Sequence, residues 1–303
     1  MQPNTSYIVC FTPRCGSTLL CEILYNTGLA GQPDEYFEME DKPIWERSWG
    51  VSTFAEYLAA AVKQGTTPNG VFGIKMGWPQ LVDLADEIKQ HPAYEELSVC
   101  DRLNAVFPNL HYIWIKRENK VRQAISLVKA KQTGVWTVTA DSSPRPMGKP
   151  AFSFQLIDLM VYELEAQDAA WKRYFKKYNI QPLAVIYEDL VSNSEKTALQ
   201  ILKELGIPTE QVTFAPNRLR QQADEESEEW VQRYDYLKTH SKWYRWLSHI
   251  DKLVVTYLLQ SIKLRAAVAK IYLKLMHVGN YAQHYTGVLA DKNKWRAEGP
   301  LDG

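Results

Sequence analysis

Arg14 sits in a short loop, Thr12-Pro-Arg-Cys-Gly-Ser-Thr18, between an apolar run ending at Phe11 and a leucine-rich helix start at Leu19. Strand, loop and helix in that order aim backbone N–H groups and a helix N-terminus at one point, which favours a bound phosphate or sulfate. Arg14 adds a cation, Cys15 and Gly16 add backbone, and Ser17 and Thr18 add hydroxyl donors. The loop has no Lys directly before its Ser/Thr, as a Walker A sequence would, so this anion cradle is not one built around Mg-nucleotide. A plain helix-capping turn is the alternative reading of Ser17 and Thr18. Lys75, in Gly73-Ile-Lys-Met-Gly-Trp78, follows an apolar strand and can bring a second cation to the carboxyl end of the same sheet, or be only a charge at a strand edge.

The elements that must position these groups alternate in type. β-like runs at Tyr7–Phe11, Val71–Met76, His111–Ile115 and Leu183–Tyr187 are interleaved with helical patterns near Ser17–Thr27, Thr53–Gln64, Lys120–Gln132, Phe154–Lys177 and Asn193–Leu205. That alternation predicts an α/β fold with a central parallel sheet flanked by helices. Strands buried on both faces read as unbroken apolar runs, and YIVCF and YIWI do. The stretch Val138–Phe152 has turn and breaker chemistry without a period and reads as a surface loop or lid.

The loop and the segments downstream of it resemble sulfotransferases that use 3′-phosphoadenosine 5′-phosphosulfate (PAPS). Gly28-Leu-Ala-Gly-Gln-Pro-Asp-Glu-Tyr-Phe37 is similar to the bacterial trehalose 2-sulfotransferase family, and so are Gly73 to Trp78, Ile115-Lys-Arg117 with Ser126, Tyr187-Glu-Asp-Leu190, and Gln222-Ala-Asp224 with Glu229-Trp-Val231. The resemblance covers roughly residues 6 to 235. It implies a P-loop-like sulfotransferase fold, PAPS as co-substrate without a metal, and a carbohydrate or glycolipid hydroxyl as acceptor. By the same resemblance Arg14, Cys15, Gly16, Ser17 and Thr18 hold the 5′-phosphosulfate, with Arg14 stabilising the leaving phosphate. Arg117 and Ser126 hold the 3′-phosphate. Glu35 accepts the acceptor proton, and a homodimer is also implied. The residues themselves add that burial beside Tyr36 and Phe37 would help the basicity of Glu35, that Lys75 can act as a further catalytic cation, and that Arg220 can contact the nucleotide from the far side. Each role has a plainer alternative: Arg117 can be a solvated strand end, and Glu35 lies in an acidic stretch with Asp34, Glu38, Glu40 and Asp41. Tyr187-Glu-Asp189 reads as a structural strand end. Trp45, Trp49, Trp78 and Trp136 lie nearest the motifs and offer either sugar-stacking surfaces or core packing.

Composition sets the outer limits. The chain has 303 residues, 46% of them hydrophobic, with 35 basic against 35 acidic side chains, so no overall field favours nucleic acid or an anionic membrane. Cys10, Cys15, Cys21 and Cys100 lack zinc-type spacing and read as free thiols in a reducing cytosol. The expectation is thus a sulfotransferase domain over 1–235 and a distinct tail over 236–303. Between Tyr236 and Leu275 eight Lys or Arg face one acid, Asp251, beside an apolar run. A transmembrane helix is disfavoured there, since Lys263, Arg265 and Lys270 would each cost about 2.5–3.5 kcal/mol near a bilayer centre. The tail reads as a helix packed on the body or on a second subunit, as an amphipathic helix on the inner membrane face, or as disordered. Two other functions stand as alternatives: a P-loop nucleotide kinase, and a non-enzymatic membrane-docking protein carried by the tail.

Overall fold

A computed structural model describes residues 3–38, 41–138, 145–210, 212, 214, 225–242 and 249. Its elements run β1 (Thr5–Phe11), α1 (Ser17–Asn26), α2 (Lys42–Trp49), α3 (Phe54–Gly65), β2 (Val71–Gly77), α4 (Trp78–Lys89), α5 (Val99–Val106), β3 (Leu110–Lys116), α6 (Lys120–Thr133), α7 (Phe154–Lys177), β4 (Leu183–Ile186), α8 (Tyr187–Ser192), α9 (Ser194–Glu204) and α10 (Glu225–His240). The four strands form one parallel sheet in the order β2-β1-β3-β4.

Strand alternation sends each residue set to its own layer. Ile8, Cys10, Phe72, Ile74, Met76 and Tyr112 pack on one face with Trp171 and Tyr174 of α7. Tyr7, Val9, Phe11, Ile113, Ile115 and Val185 pack on the other with Leu20 and Leu24 of α1 and Ile201 of α9. A third cluster joins α6, α7 and α10 through Ile125, Ile157 and Tyr234, and the Tyr234 hydroxyl donates to the buried Asp158 at 2.5 Å.

The strand order has a consequence for the site. From β1 the chain passes to β2 on one side, then crosses to β3 on the other, so the loops leaving β1 and β3 diverge and leave a crevice at the carboxyl end of the sheet. Ligands of open α/β sheets bind at such a switch point. The loop after β1 contains Arg14 and the residue following β3 is Arg117.

The expected strands and helices are present, with ends shifted by a residue or two. Correcting the sequence reading, Tyr187 does not end a strand but opens α8, whose first turn carries Glu188 and Asp189, acids that suit a helix N-terminus. Helices α2, α4, α5, α8 and α10 were not anticipated. The segment at 145–152 is exposed and irregular apart from its last residues, in keeping with a surface loop; residues 139–144 of the expected lid lie outside the described residues. So does the tail beyond Lys242 apart from His249, while α10 itself runs through Tyr236.

Candidate active site

The loop leaving β1 is shaped by two residues in the left-handed region. Arg14 has φ 66° and Gly16 φ 92°. A non-glycine residue held there costs about 1–3 kcal/mol and persists only where its surroundings enforce it. At Gly16 both backbone and space exclude a side chain, because an added Cβ would lie 2.3 Å from the Tyr187 ring. Cys15 is fully buried, and burial pushes its thiol pKa up, so it contributes backbone rather than a nucleophile.

From this loop the Arg14 side chain reaches α6. Its Nε donates to Ser126 Oγ at 3.0 Å, and its guanidinium also donates to the Trp136 carbonyl. Arg117 approaches from the end of β3: its Nη1 donates to the Arg14 carbonyl at 3.4 Å, and its guanidinium lies 4.7 Å over the Tyr187 ring. Among the described residues no carboxylate stands within ion-pair distance of Arg117, and its buried Nε has no hydrogen-bond partner. Burial lowers the pKa of both arginines, and Arg117 lowers that of Arg14 further. A buried donor left unmet beside a second cation is costly unless an anion completes it.

A second cluster faces the same loop from the β2 side. Gln32–Asp34 is tied to the end of α3 and to β2: Gln32 N–H donates to the Gly65 carbonyl at 2.9 Å and Lys75 N–H to the Asp34 carbonyl at 3.0 Å. Gly73 lets the Tyr7 ring pack over β2, since a Cβ there would lie 2.5 Å from the Tyr7 hydroxyl, which donates to the Ala30 carbonyl. Glu35 is thereby set beside Lys75, whose Nζ stands 2.7 Å from Glu35 Oε1 and 3.3 Å from Thr18 Oγ1. The Lys75 side chain is 8% exposed and that of Glu35 29%. Burial alone would pull the Lys75 ammonium down, but Glu35, with Cys21 and Asp34, outweighs it and leaves its pKa raised. The other Glu35 oxygen accepts from Gln80 Nε2 at 3.2 Å, and Gln80 also donates to Glu38 at 2.5 Å while accepting from Gly77 N–H at 2.5 Å.

The structure therefore brings Arg14, Ser126 and Arg117 together on one side of the α1 N-terminus, and Thr18, Lys75 and Glu35 on the other. Ser17 is buried at the start of α1. The Tyr36 and Phe37 rings turn into the core against Trp45 and Tyr57, and the Glu35 carboxylate is paired with Lys75 and Gln80. Trp78 stands edge-on to Trp171 in the core, and Trp45 and Trp49 stack on each other beside Tyr36. Trp136 is 48% exposed at the site's edge. Arg220 lies outside the described residues. Sequence reasoning missed Gln80 and the seat that Tyr187 forms under Gly16; a Gln at the third position of a helix after Gly77 was the available signal for the first. All four cysteines are free, three of them buried. Among the described residues no group of three or more His, Cys, Asp or Glu gathers as a metal site.

The chain is 31% identical over 258 residues to a trehalose 2-sulfotransferase of Mycolicibacterium smegmatis, covering 76% of this chain and 94% of that one. It is 29% identical over 256 residues to a trehalose 2-sulfotransferase of Mycobacterium tuberculosis, covering 75% and 93%. Among solved structures, the sulfotransferase domain of the Synechococcus PCC 7002 olefin synthase aligns over 75% of this chain and 83% of its own at 18% identity, with a TM-score of 0.37, too loose a match to add to the assignment. Residues 6–236 match the family described as Stf0 sulphotransferase, and the chain belongs to that sulfotransferase family.

Proposed function

We propose that the protein transfers a sulfuryl group from PAPS to a hydroxyl of a carbohydrate, with Glu35 as general base. The observation that carries this reading is the Glu35–Lys75 pair, 2.7 Å apart, facing the loop that holds Arg14, which Arg117 approaches from the end of β3. Membership in a sulfotransferase family sets the kinase alternative aside. The two mycobacterial relatives act on trehalose by name, which makes a sugar the first acceptor to try.

The residues present fit the donor. Arg117, with an unpartnered buried Nε, and Ser126 would hold the 3′-phosphate; backbone N–H groups at Gly16–Thr18 and the α1 N-terminus would hold the 5′-phosphosulfate. When bound, PAPS supplies the SO₃ group and a phosphate that departs. Glu35 takes the proton of the acceptor hydroxyl as its oxygen bonds to sulfur and the sulfur–phosphate bridge breaks. Lys75 and Arg14 offset the charge that develops on the departing oxygen. Lys75 stands between base and loop, so its charge becomes available to that oxygen as the proton neutralises Glu35.

The experiment that tests this reading compares thermal stabilisation by adenosine 3′,5′-bisphosphate, the desulfonated donor, with that by ATP and Mg. Ligand at about 100 times its dissociation constant stabilises by about 2.7 kcal/mol, which the bisphosphate should deliver and ATP with Mg should not. Stabilisation by ATP with Mg alone would contradict the proposal.

A further inference from the structure

The loop that carries Arg14 is held from behind by a buried side chain that the chemistry above does not use. Gln123, on α6, has 0% exposure. Its Nε2 donates to Thr12 Oγ1 at 2.9 Å and to the Pro13 carbonyl at 2.8 Å. Its Oε1 accepts from Lys120 Nζ at 2.9 Å, which fixes the orientation of the amide, because an ammonium can only donate. Both N–H bonds are therefore committed to the loop. Lys120 is held in turn by Asp168 of α7, Nζ to Oδ2 2.5 Å, and the other Asp168 oxygen is buried without a partner. The chain of contacts runs from α7 through Lys120 and Gln123 to the two residues immediately before Arg14.

Arg14 is the residue that needs such support, since its φ of 66° is unfavourable for a side chain. Fixing the Pro13 carbonyl fixes the peptide plane that enters Arg14 and so the direction in which the following N–H groups point. Ser126 follows Gln123 by one helical turn and accepts from Arg14 Nε at 3.0 Å, so one face of α6 grips the loop at two points.

We infer that Gln123, buttressed by Lys120 and Asp168, is a positioning residue that sets the 5′-phosphosulfate loop and ties it to the helix carrying Ser126. The inference rests on PAPS being the donor. It makes a prediction that a general packing role does not: loss of Gln123 should weaken ligands that have a 5′-phosphate and spare those that lack one.

The test titrates adenosine 3′,5′-bisphosphate and adenosine 3′-monophosphate into the full chain by calorimetry. In Gln123→Glu the acceptor for Lys120 is kept, so that half-buried ammonium is not stranded, while both donors to the loop are lost. Bisphosphate affinity should fall by about tenfold or more, with the 3′-monophosphate within about threefold of wild type. Thr12→Val, which deletes a single hydroxyl, should give the same ligand-selective loss at smaller size and decides the matter where Gln123→Glu does not fold. Equal losses for the two ligands would make Gln123 merely structural and overturn the inference, as would unchanged affinity for both. A wild-type protein that binds the bisphosphate no tighter than the 3′-monophosphate would instead overturn the donor reading, and this inference with it.

Discussion

Replacing Arg117 by alanine separates binding from folding. In the folded protein this guanidinium has one long hydrogen bond, 3.4 Å to the Arg14 carbonyl, a stacking contact with Tyr187, and a buried Nε with no partner. Losing the stack costs about 0.5–1 kcal/mol. That loss is offset by removing an unmet buried donor and a cation that lowers the pKa of Arg14. Net stability should therefore change by less than about 1 kcal/mol, the range of an unremarkable substitution. Binding should respond far more, because a desolvated bidentate arginine–phosphate contact is worth about 2–4 kcal/mol, or about 30- to 1000-fold in affinity. Calorimetric titration with adenosine 3′,5′-bisphosphate and with adenosine 5′-phosphosulfate, which lacks the 3′-phosphate, reads the difference. The first should lose nearly the whole amount and the second little. Equal losses, or a collapse of stability, would refute the assignment of Arg117 to the 3′-phosphate.

Other consequences follow from the same geometry. Glu35→Gln keeps size and removes basicity, so turnover should fall about 10²–10⁴-fold in a sulfuryl-transfer assay while bisphosphate affinity stays within a few-fold; near-normal turnover would give the proton to another residue. Gly16→Ala meets both a left-handed backbone and the Tyr187 ring at 2.3 Å, so a lower melting temperature and loss of nucleotide binding are expected, and a wild-type scan would disprove the tight seat. Lys75 has its folded pKa raised above the unfolded value near about 10.4, so its contribution is fully present below that pH and fades only as pH rises through the folded value. The gap in melting temperature between wild type and Lys75→Met should accordingly stay constant from about pH 6 to 9; a gap that closes within that window would contradict the raised pKa. Burial raises the pKa of all four thiols, that of Cys21 to about 12, but Cys100 alone is half-buried rather than buried, so access should limit a thiol reagent at about pH 8 to Cys100 in the native protein, and fast labelling of a second thiol would show the loop region to be open.

The fold was legible where burial writes a clear pattern. YIVCF is buried on both faces as β1, and the loop after it stands where a helix N-terminus can meet an anion. The alternation of strands and helices gave the parallel sheet. Helices with a weaker pattern escaped notice: α2 is short and only half-buries Trp45 and Trp49 against the core, and α4 begins with Trp78-Pro79, where the proline looks like a breaker although it is at home in a first turn. The proposed phosphate-site residues Arg14, Arg117 and Ser126 were singled out through a family resemblance, and the structure brings them together because each lies beyond a strand end or in the helix that follows one. The environment of Glu35 was not legible. It depends on a backbone hydrogen bond from Lys75 to Asp34 and on the side chain of Gln80, contacts between segments some 40 residues apart that no local spacing encodes.

The central claim is that a sulfuryl group passes from PAPS to a sugar hydroxyl, and the direct measurement is to incubate the purified protein with ³⁵S-labelled PAPS and trehalose. Label should move to the disaccharide in step with release of adenosine 3′,5′-bisphosphate, and Glu35→Gln should all but abolish that transfer while still binding the bisphosphate. Label that stays on the nucleotide with trehalose and with every other carbohydrate offered, or full transfer by Glu35→Gln, would contradict the account.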